Sequence, residues 1–369
     1  MANDYTKNRD LMNTEKIREI QRELPEIVTE FMRDSKVQDM SSNSRLGYIR
    51  DLRTFFYFLP RELADFADTA PSEITIEQLA SLKKTDFDHY SEYLDVYIKP
   101  DYGSGDVFKA DVHAPYSKTR KIKGQTSNEA PGKARKIVAL RQFFKYLFEN
   151  DYIPTNYAER LHVPAVDEKE IIYLDEEEIK KLLDTVRNGF GEKKQAKFLE
   201  RSRIRDIAII SLLLATGIRA SECVGLDVNH VDTKNGTLYV TRKGGNEVEL
   251  YFNESTAEAL EEYLQEREEI VPCPGHEKAL FLSSQRKRLT ARALQNLVKK
   301  YATVACPNKQ HMSPHKLRAS FGTALYNKDG DIEDVANSLG HVNVNTTKKH
   351  YVHEKKERRK KAAKSVDWV

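Results

Sequence analysis

Residues Ile204 to Ala215 are almost continuously apolar, and a run of that length predicts a helix buried on all sides, around which a core must be assembled. A membrane is not the expected surrounding, because nowhere do about 18 apolar residues run together. The opening residues MANDYTKNRD carry charge with no apolar stretch behind it, so neither a signal peptide nor a spanning helix is expected. Charged residues make up 32% of the 369-residue chain and hydrophobic residues 39%, which suits a soluble, mostly helical protein of the cytoplasm. That length predicts two domains.

Helical periodicity dominates the first part. Ser44 is the expected cap of a helix in which Leu46, Ile49, Leu52, Phe56 and Leu59 share one face, ending at Pro60. Thr85 is the expected cap of a second, carrying Phe87, Tyr90, Leu94 and Tyr97. A Gly-, Ser- and Lys-rich stretch over about 100–130 has no period and reads as a surface insertion. Next come Ile137, Leu140, Phe144 and Leu147, the apolar stripe of a helix with a basic opposite face. Pro154, Pro164 and the charged run Asp167 to Glu170 predict a linker. The boundaries are therefore 1–165 for an N-terminal helical domain and 166–369 for a C-terminal domain with a basic tail.

In the second part, Asp175 and Glu176 begin a helix. The runs Thr237 to Thr241 and Val248 to Phe252, joined through Gly244, Gly245 and Asn246, predict a hairpin. Ala279 to Leu282 is a short strand candidate. The three cysteines, Cys223, Cys273 and Cys306, form no CxxC pair, which excludes a disulfide framework and a zinc knuckle. His311 and His315 stand four apart, but Pro314 interrupts them, so no metal site is expected.

A net charge of +3 does not announce a nucleic-acid partner, but its distribution does. Lys118, Arg120, Lys121, Lys123, Lys133, Arg135, Lys136, Arg141 and Lys145 fall between Ser117 and Tyr146 against Glu129 alone. Lys355, Lys356, Arg358, Arg359, Lys360, Lys361 and Lys364 crowd the tail. One such run is usually a solvated face. Two of them flanking a constellation of reactive residues point to phosphate neutralisation.

That constellation comprises Ala215-Thr-Gly-Ile-Arg-Ala-Ser-Glu222, the hairpin lysine of Thr241-Arg-Lys-Gly-Gly-Asn246, Ser313-Pro-His-Lys-Leu-Arg318, Leu339-Gly-His341 and Lys349-His-Tyr351. Each piece alone is weak. Arranged as Arg, Lys, His-x-x-Arg, His, Tyr over about 130 residues, the set resembles the tyrosine recombinases and integrases. SPHKLRASFGTALY and LGHVNVNTTKKHY are most similar to the Xer site-specific recombinases. Ala319 departs from the histidine that many relatives place there. The resemblance implies a fold that is mainly α with a small β-sheet, built as a helical core-DNA-binding domain and a mixed α/β catalytic domain.

Chemistry assigns each residue a task. Phosphoryl transfer builds charge on the equatorial oxygens, and Arg219 and Arg318 can each grip two of them with a permanent cation. Tyr351 is the candidate nucleophile. Its phenol has an ordinary pKa near 10, so its proton needs an acceptor, for which His315 is placed. Lys243 is the candidate general acid for the departing sugar oxygen, with Arg242 as the alternative. His341 donates to a non-bridging oxygen, and Glu222 orients Arg219 or His315. Ser221 and Cys223 read as packing residues. Lys118, Arg120, Lys121, Lys133, Arg135, Lys136, Arg141 and Lys145 are the candidate DNA contacts.

The covalent route through a 3′-phosphotyrosine conserves the bond energy, so no cofactor is expected. The implied partners are a double-stranded DNA recombination site and three further copies of the chain, a homo-tetramer on two DNA sites. A DNA translocase is a candidate activator, and neither a membrane nor a small-molecule substrate is expected. Val366 and Trp368 in the basic tail suggest docking on a neighbouring copy. The expected role is chromosome dimer resolution. A mobile-element or phage integrase shares the chemistry, and a type IB topoisomerase is the more distant alternative.

Overall fold

The computed structural model describes residues 4–98, 125–166, 172–190, 202–242, 245–309 and 311–340. Contacts divide the chain into two units, Thr6–Glu168 and Lys169–Val369 with the first five residues. Among the described residues no helix is long and apolar enough to cross a membrane.

Helices α1 (Asp4–Gln21), α2 (Glu26–Arg33), α3 (Ser35–Gln38), α4 (Ser42–Glu62), α5 (Ile76–Ser81) and α6 (Lys84–Tyr93) lead to an antiparallel strand pair, β1 (Val96–Ile98) and β2 (Gln125–Ser127), and then to α7 (Ala130–Glu149). An aromatic cluster holds α4, α6 and α7 together. Phe87 meets Phe144 edge-on at 4.9 Å and Phe55 meets Phe144 at 5.7 Å, a geometry that matches ring edges to ring faces.

Several local expectations are corrected here. Ser41, not Ser44, caps α4, accepting the Ser44 N–H at 3.3 Å. The helix also continues through Pro60, because Phe55, Phe56, Phe58 and Leu59 are all buried and their packing outweighs the missing bond. Thr85 lies inside α6, since the Asp86 carboxylate reaches back to the Lys83 N–H at 2.7 Å and starts the helix earlier. Tyr97 is buried from a strand. The end of the stretch read as an insertion is that strand's partner, Ile98 facing Gln125 and Val96 facing Ser127.

The second unit opens with α8 (Glu176–Asn188), whose first turn is fixed by a reciprocal pair: Asp175 accepts the Glu178 N–H and Glu178 accepts the Asp175 N–H, both at 2.9 Å. The apolar run forms α9 (Arg203–Thr216), with Ile209, Ile210, Leu212 and Leu213 fully buried. After α10 (Ala220–Gly225) comes a three-stranded antiparallel sheet in the order β3 (Val231–Asp232), β4 (Thr237–Thr241), β5 (Glu247–Tyr251). Helices α11 (Glu254–Glu269), α12 (Ala291–Ala305), α13 (Pro314–Asp329) and α14 (Ile332–Leu339) follow, and α9 packs against α8, α11 and α13. The architecture is mainly α with a small sheet. Ala279 to Leu282 makes only isolated bridges. Side chains take several of its carbonyls: Arg267 Nε donates to Ala279 O (3.1 Å) and Tyr263 Oη to Leu280 O (3.0 Å), while Phe281 O accepts the Leu289 N–H (2.9 Å).

Candidate active site

Helix α9 ends at Gly217, left-handed at φ 61°. A side chain there would overlap the Phe321 ring, so the sharp turn into α10 requires glycine. Arg219 leads into α10, and Glu222 binds it twice. Glu222 Oε2 accepts the Arg219 backbone N–H and Oε1 accepts from Nη1, both at 2.8 Å. The Glu222 side chain is only 7% exposed against 40% for Arg219, so the carboxylate is the fixed partner and the guanidinium the accessible one. Ser221 is exposed, which corrects the packing role expected of it, whereas Cys223 is fully buried and burial pushes its thiol up to about 12.

Arg318 comes from the second turn of α13 and is 5% exposed. Its Nη1 donates to Gly217 O at 2.5 Å and its Nη2 to Leu339 O. Arg219 Nη2 donates to Gly340 O at 3.2 Å. A third arginine, Arg242 after β4, donates from Nη2 to Ser338 O (2.9 Å) and from Nη1 to Asn337 O (3.3 Å). Three guanidiniums from distant parts of the sequence thus converge on the last carbonyls of α14. Oxygens at a helix C-terminus form the negative end of its dipole, and Asn337 O also accepts the Gly340 N–H at 2.9 Å. Gly340 closes the helix at φ 60°, ψ 49°.

His315 lies on α13 one turn before Arg318 and is exposed. His311 has φ 62° in the preceding turn, so the two histidines do not share a helix face. Among the described residues no group of His, Cys, Asp and Glu could hold a metal ion. Lys243, His341 and Tyr351 lie outside the described residues, as do Lys118, Arg120, Lys121 and the basic tail. The hairpin brackets Lys243: Thr241 faces Glu247, and the Arg242 N–H donates to Asn246 O at 2.8 Å.

The candidate DNA contacts on α7 fall into two groups. Lys133 Nζ pairs with Asp95 Oδ1 (2.7 Å), Arg135 Nη1 with Asp51 Oδ2 (2.5 Å), and Lys136 Nζ donates to Asn128 Oδ1 (2.9 Å). Burial pushes the Asp51 carboxyl up to about 6 against the pull of Arg135 and Lys136, and burial lowers Lys136. Arg141 and Lys145 line a surface groove of about 300 Å³ with Val138, Gln142, Asn156 and Glu159, and Lys145 Nζ also lies 3.6 Å from Glu149 Oε1. The carboxylate partners were missed in the sequence. Asp51 stands beside Leu52 on a helix facing the core, and a polar residue in that position is the signal that could have found it.

The phage integrase family matches residues 173–358. Tyrosine recombinase XerC of Caldanaerobacter subterraneus subsp. tengcongensis is 32% identical over 88% of this chain and 82% of its own length. Tyrosine recombinase XerS of Streptococcus thermophilus is 29% identical over 90% and 93%. Among solved structures, the XerH site-specific recombinase bound to a palindromic difH substrate, a post-cleavage complex, has a TM-score of 0.58 at 21% identity, covering 98% of this chain and 96% of that one. A lambda integrase dimer bound to a COC′ core site has a TM-score of 0.56 at 13% identity, covering 88% and 94%.

Proposed function

This chain belongs to the phage integrase family and is a tyrosine recombinase, an enzyme that breaks and rejoins DNA, and from that premise we propose that it resolves chromosome dimers through Tyr351. The phenolic oxygen of Tyr351 attacks the scissile phosphorus while His315 takes its proton. The 5′ oxygen leaves with a proton from Lys243, and the 3′ phosphate stays on the tyrosine. A 5′-hydroxyl from the partner strand then reverses the step, so no external energy source is needed. His341 donates to a non-bridging oxygen.

The observation that carries this reading is the convergence of Arg219 and Arg318 on the turn at Leu339 and Gly340, immediately before His341. Backbone oxygens carry no net charge, so these donations orient the guanidiniums without cancelling them. A phosphate is the stronger acceptor, and it replaces carbonyl oxygens when DNA arrives. Glu222 holds Arg219 in the orientation for that exchange.

Dimer resolution in the cytoplasm, rather than mobile-element integration, is favoured by the near full-length match to XerS. Four copies hold two DNA sites, the tail after Lys361 contacts a neighbouring copy, and a DNA translocase is the candidate activator. Arg141 and Lys145, with Lys118, Arg120 and Lys121, contact phosphates. The test uses supercoiled plasmids carrying paired chromosomal fragments. Deletion or inversion between the paired copies is the expected product, and relaxed topoisomers alone would indicate a type IB topoisomerase.

A further inference from the structure

We propose that Arg242 is a positioning residue that clasps the C-terminal turn of α14 and thereby sets the relative placement of the two chain segments that continue into Lys243 and His341. This inference rests on the reading of the site given above, and it gives Arg242 a part other than that of alternative to Lys243.

The observations are geometric. Arg242 directly precedes Lys243 in the hairpin, its own N–H held by Asn246 O at 2.8 Å. Its guanidinium spans two successive carbonyls, Asn337 O and Ser338 O. Gly340 is packed against the same guanidinium so closely that a methyl group in its place would overlap Arg242 Nη1, Nε and Cζ. Positions 242 and 340 are therefore in contact, and Lys243 and His341 each begin one residue further on, about 3.8 Å of chain from those anchors. Arg242 Nε is buried and finds no acceptor among the described residues. The guanidinium is held by the two carbonyl bonds from Nη1 and Nη2.

A planar fork is suited to this task. It donates to two oxygens at fixed separation, whereas a lysine ammonium is a single point on a flexible stem. The clasp also explains why Arg242 is unsuited to be the alternative proton donor: its N–H groups already face the helix end. A displacement of about 1 Å at either anchor is enough to lower a phosphoryl-transfer rate on the order of a hundredfold.

Three measurements on the full-length protein test the clasp. The first is amide hydrogen exchange in residues 332–340 without DNA. The second is the single-turnover rate of covalent adduct formation on a saturating nicked suicide duplex. The third is affinity for the same duplex. Arg242→Ala is expected to speed exchange in 332–340 at least tenfold while leaving residues 203–216 unchanged. It should slow adduct formation about tenfold to a hundredfold and alter affinity by less than about threefold. Arg242→Lys should recover little, methylguanidinium should rescue Arg242→Ala by at least about threefold, and Gly340→Ala combined with Arg242→Ala should cost less than the sum of the two.

Unchanged exchange in 332–340 would overturn the proposal. So would full recovery by lysine, or a loss that lies wholly in affinity, which would make Arg242 a DNA contact. If Arg242→Ala does not fold, Arg242→Lys and Gly340→Ala decide by the same readouts. If the wild type forms no adduct, the nucleophile assignment fails, while the exchange measurement still judges the clasp.

Discussion

Cations on α7 and cations around the end of α14 find different partners. On α7, Lys133 and Arg135 face carboxylates, Asp95 and Asp51, and Lys136 is tied to Asn128. Around the end of α14, Arg242 and Arg318 donate to main-chain oxygens, and Arg219 divides its donors between Glu222 and Gly340 O. A carboxylate offsets the charge of its partner, as Glu222 does in part for Arg219, whereas a carbonyl orients a cation and leaves the charge available. The same residue types therefore build scaffold on α7 and, in the function proposed above, a pocket for phosphate at the end of α14. Counting basic residues along a sequence does not separate the two uses.

The largest expected effect breaks the catalytic side of this contrast. Arg219→Ala should slow covalent adduct formation on the order of a thousandfold, measured in single turnover at saturating DNA. Breaking the scaffold side should appear in stability instead. Arg135→Ala leaves the buried Asp51 without its ion pair and should lower the unfolding free energy by about 1–3 kcal/mol at neutral pH, read by denaturant titration. An unchanged midpoint would remove Arg135 from the scaffold.

The third prediction concerns pH. Asp51 titrates at about 6 in the folded chain, above an ordinary carboxyl, so the folded state holds the proton more tightly than the unfolded chain does. The stabilisation is complete below about pH 4 and is lost as pH rises through about 6. Asp51→Asn should therefore gain on the wild type between those limits in thermal unfolding, and a constant difference across them would contradict the assignment. The smallest effect is at the groove. Arg141→Ala should weaken DNA binding a few-fold and reduce the slope of log affinity against log salt by about 1, whereas Arg135→Ala should leave that slope unchanged.

Much of this was legible in the sequence where the signal is local or periodic. The buried run at 204–215, the stripe Ile137, Leu140, Phe144 and Leu147, the hairpin, and the helix start at Asp175 all depend on residues close together in the chain. The spacing of Glu222 left Arg219 and His315 as its partners, and the structure pairs it with Arg219. What escaped notice depends on partners far away. Asp51 lies 84 residues from Arg135, and Arg242 lies 96 from Ser338, so no window along the chain reveals either pair. Strand β3, two residues long, is too short to show a period. At Ala279 to Leu282 the residue types suit a strand, but Arg267 and Tyr263 take the Ala279 and Leu280 carbonyls.

The most direct test traps the protein on a nicked suicide duplex from which the cleaved 5′ fragment escapes. The account predicts a covalent protein–DNA adduct that is lost in Tyr351→Phe and retained when other tyrosines are replaced. An adduct that persists in Tyr351→Phe would contradict it.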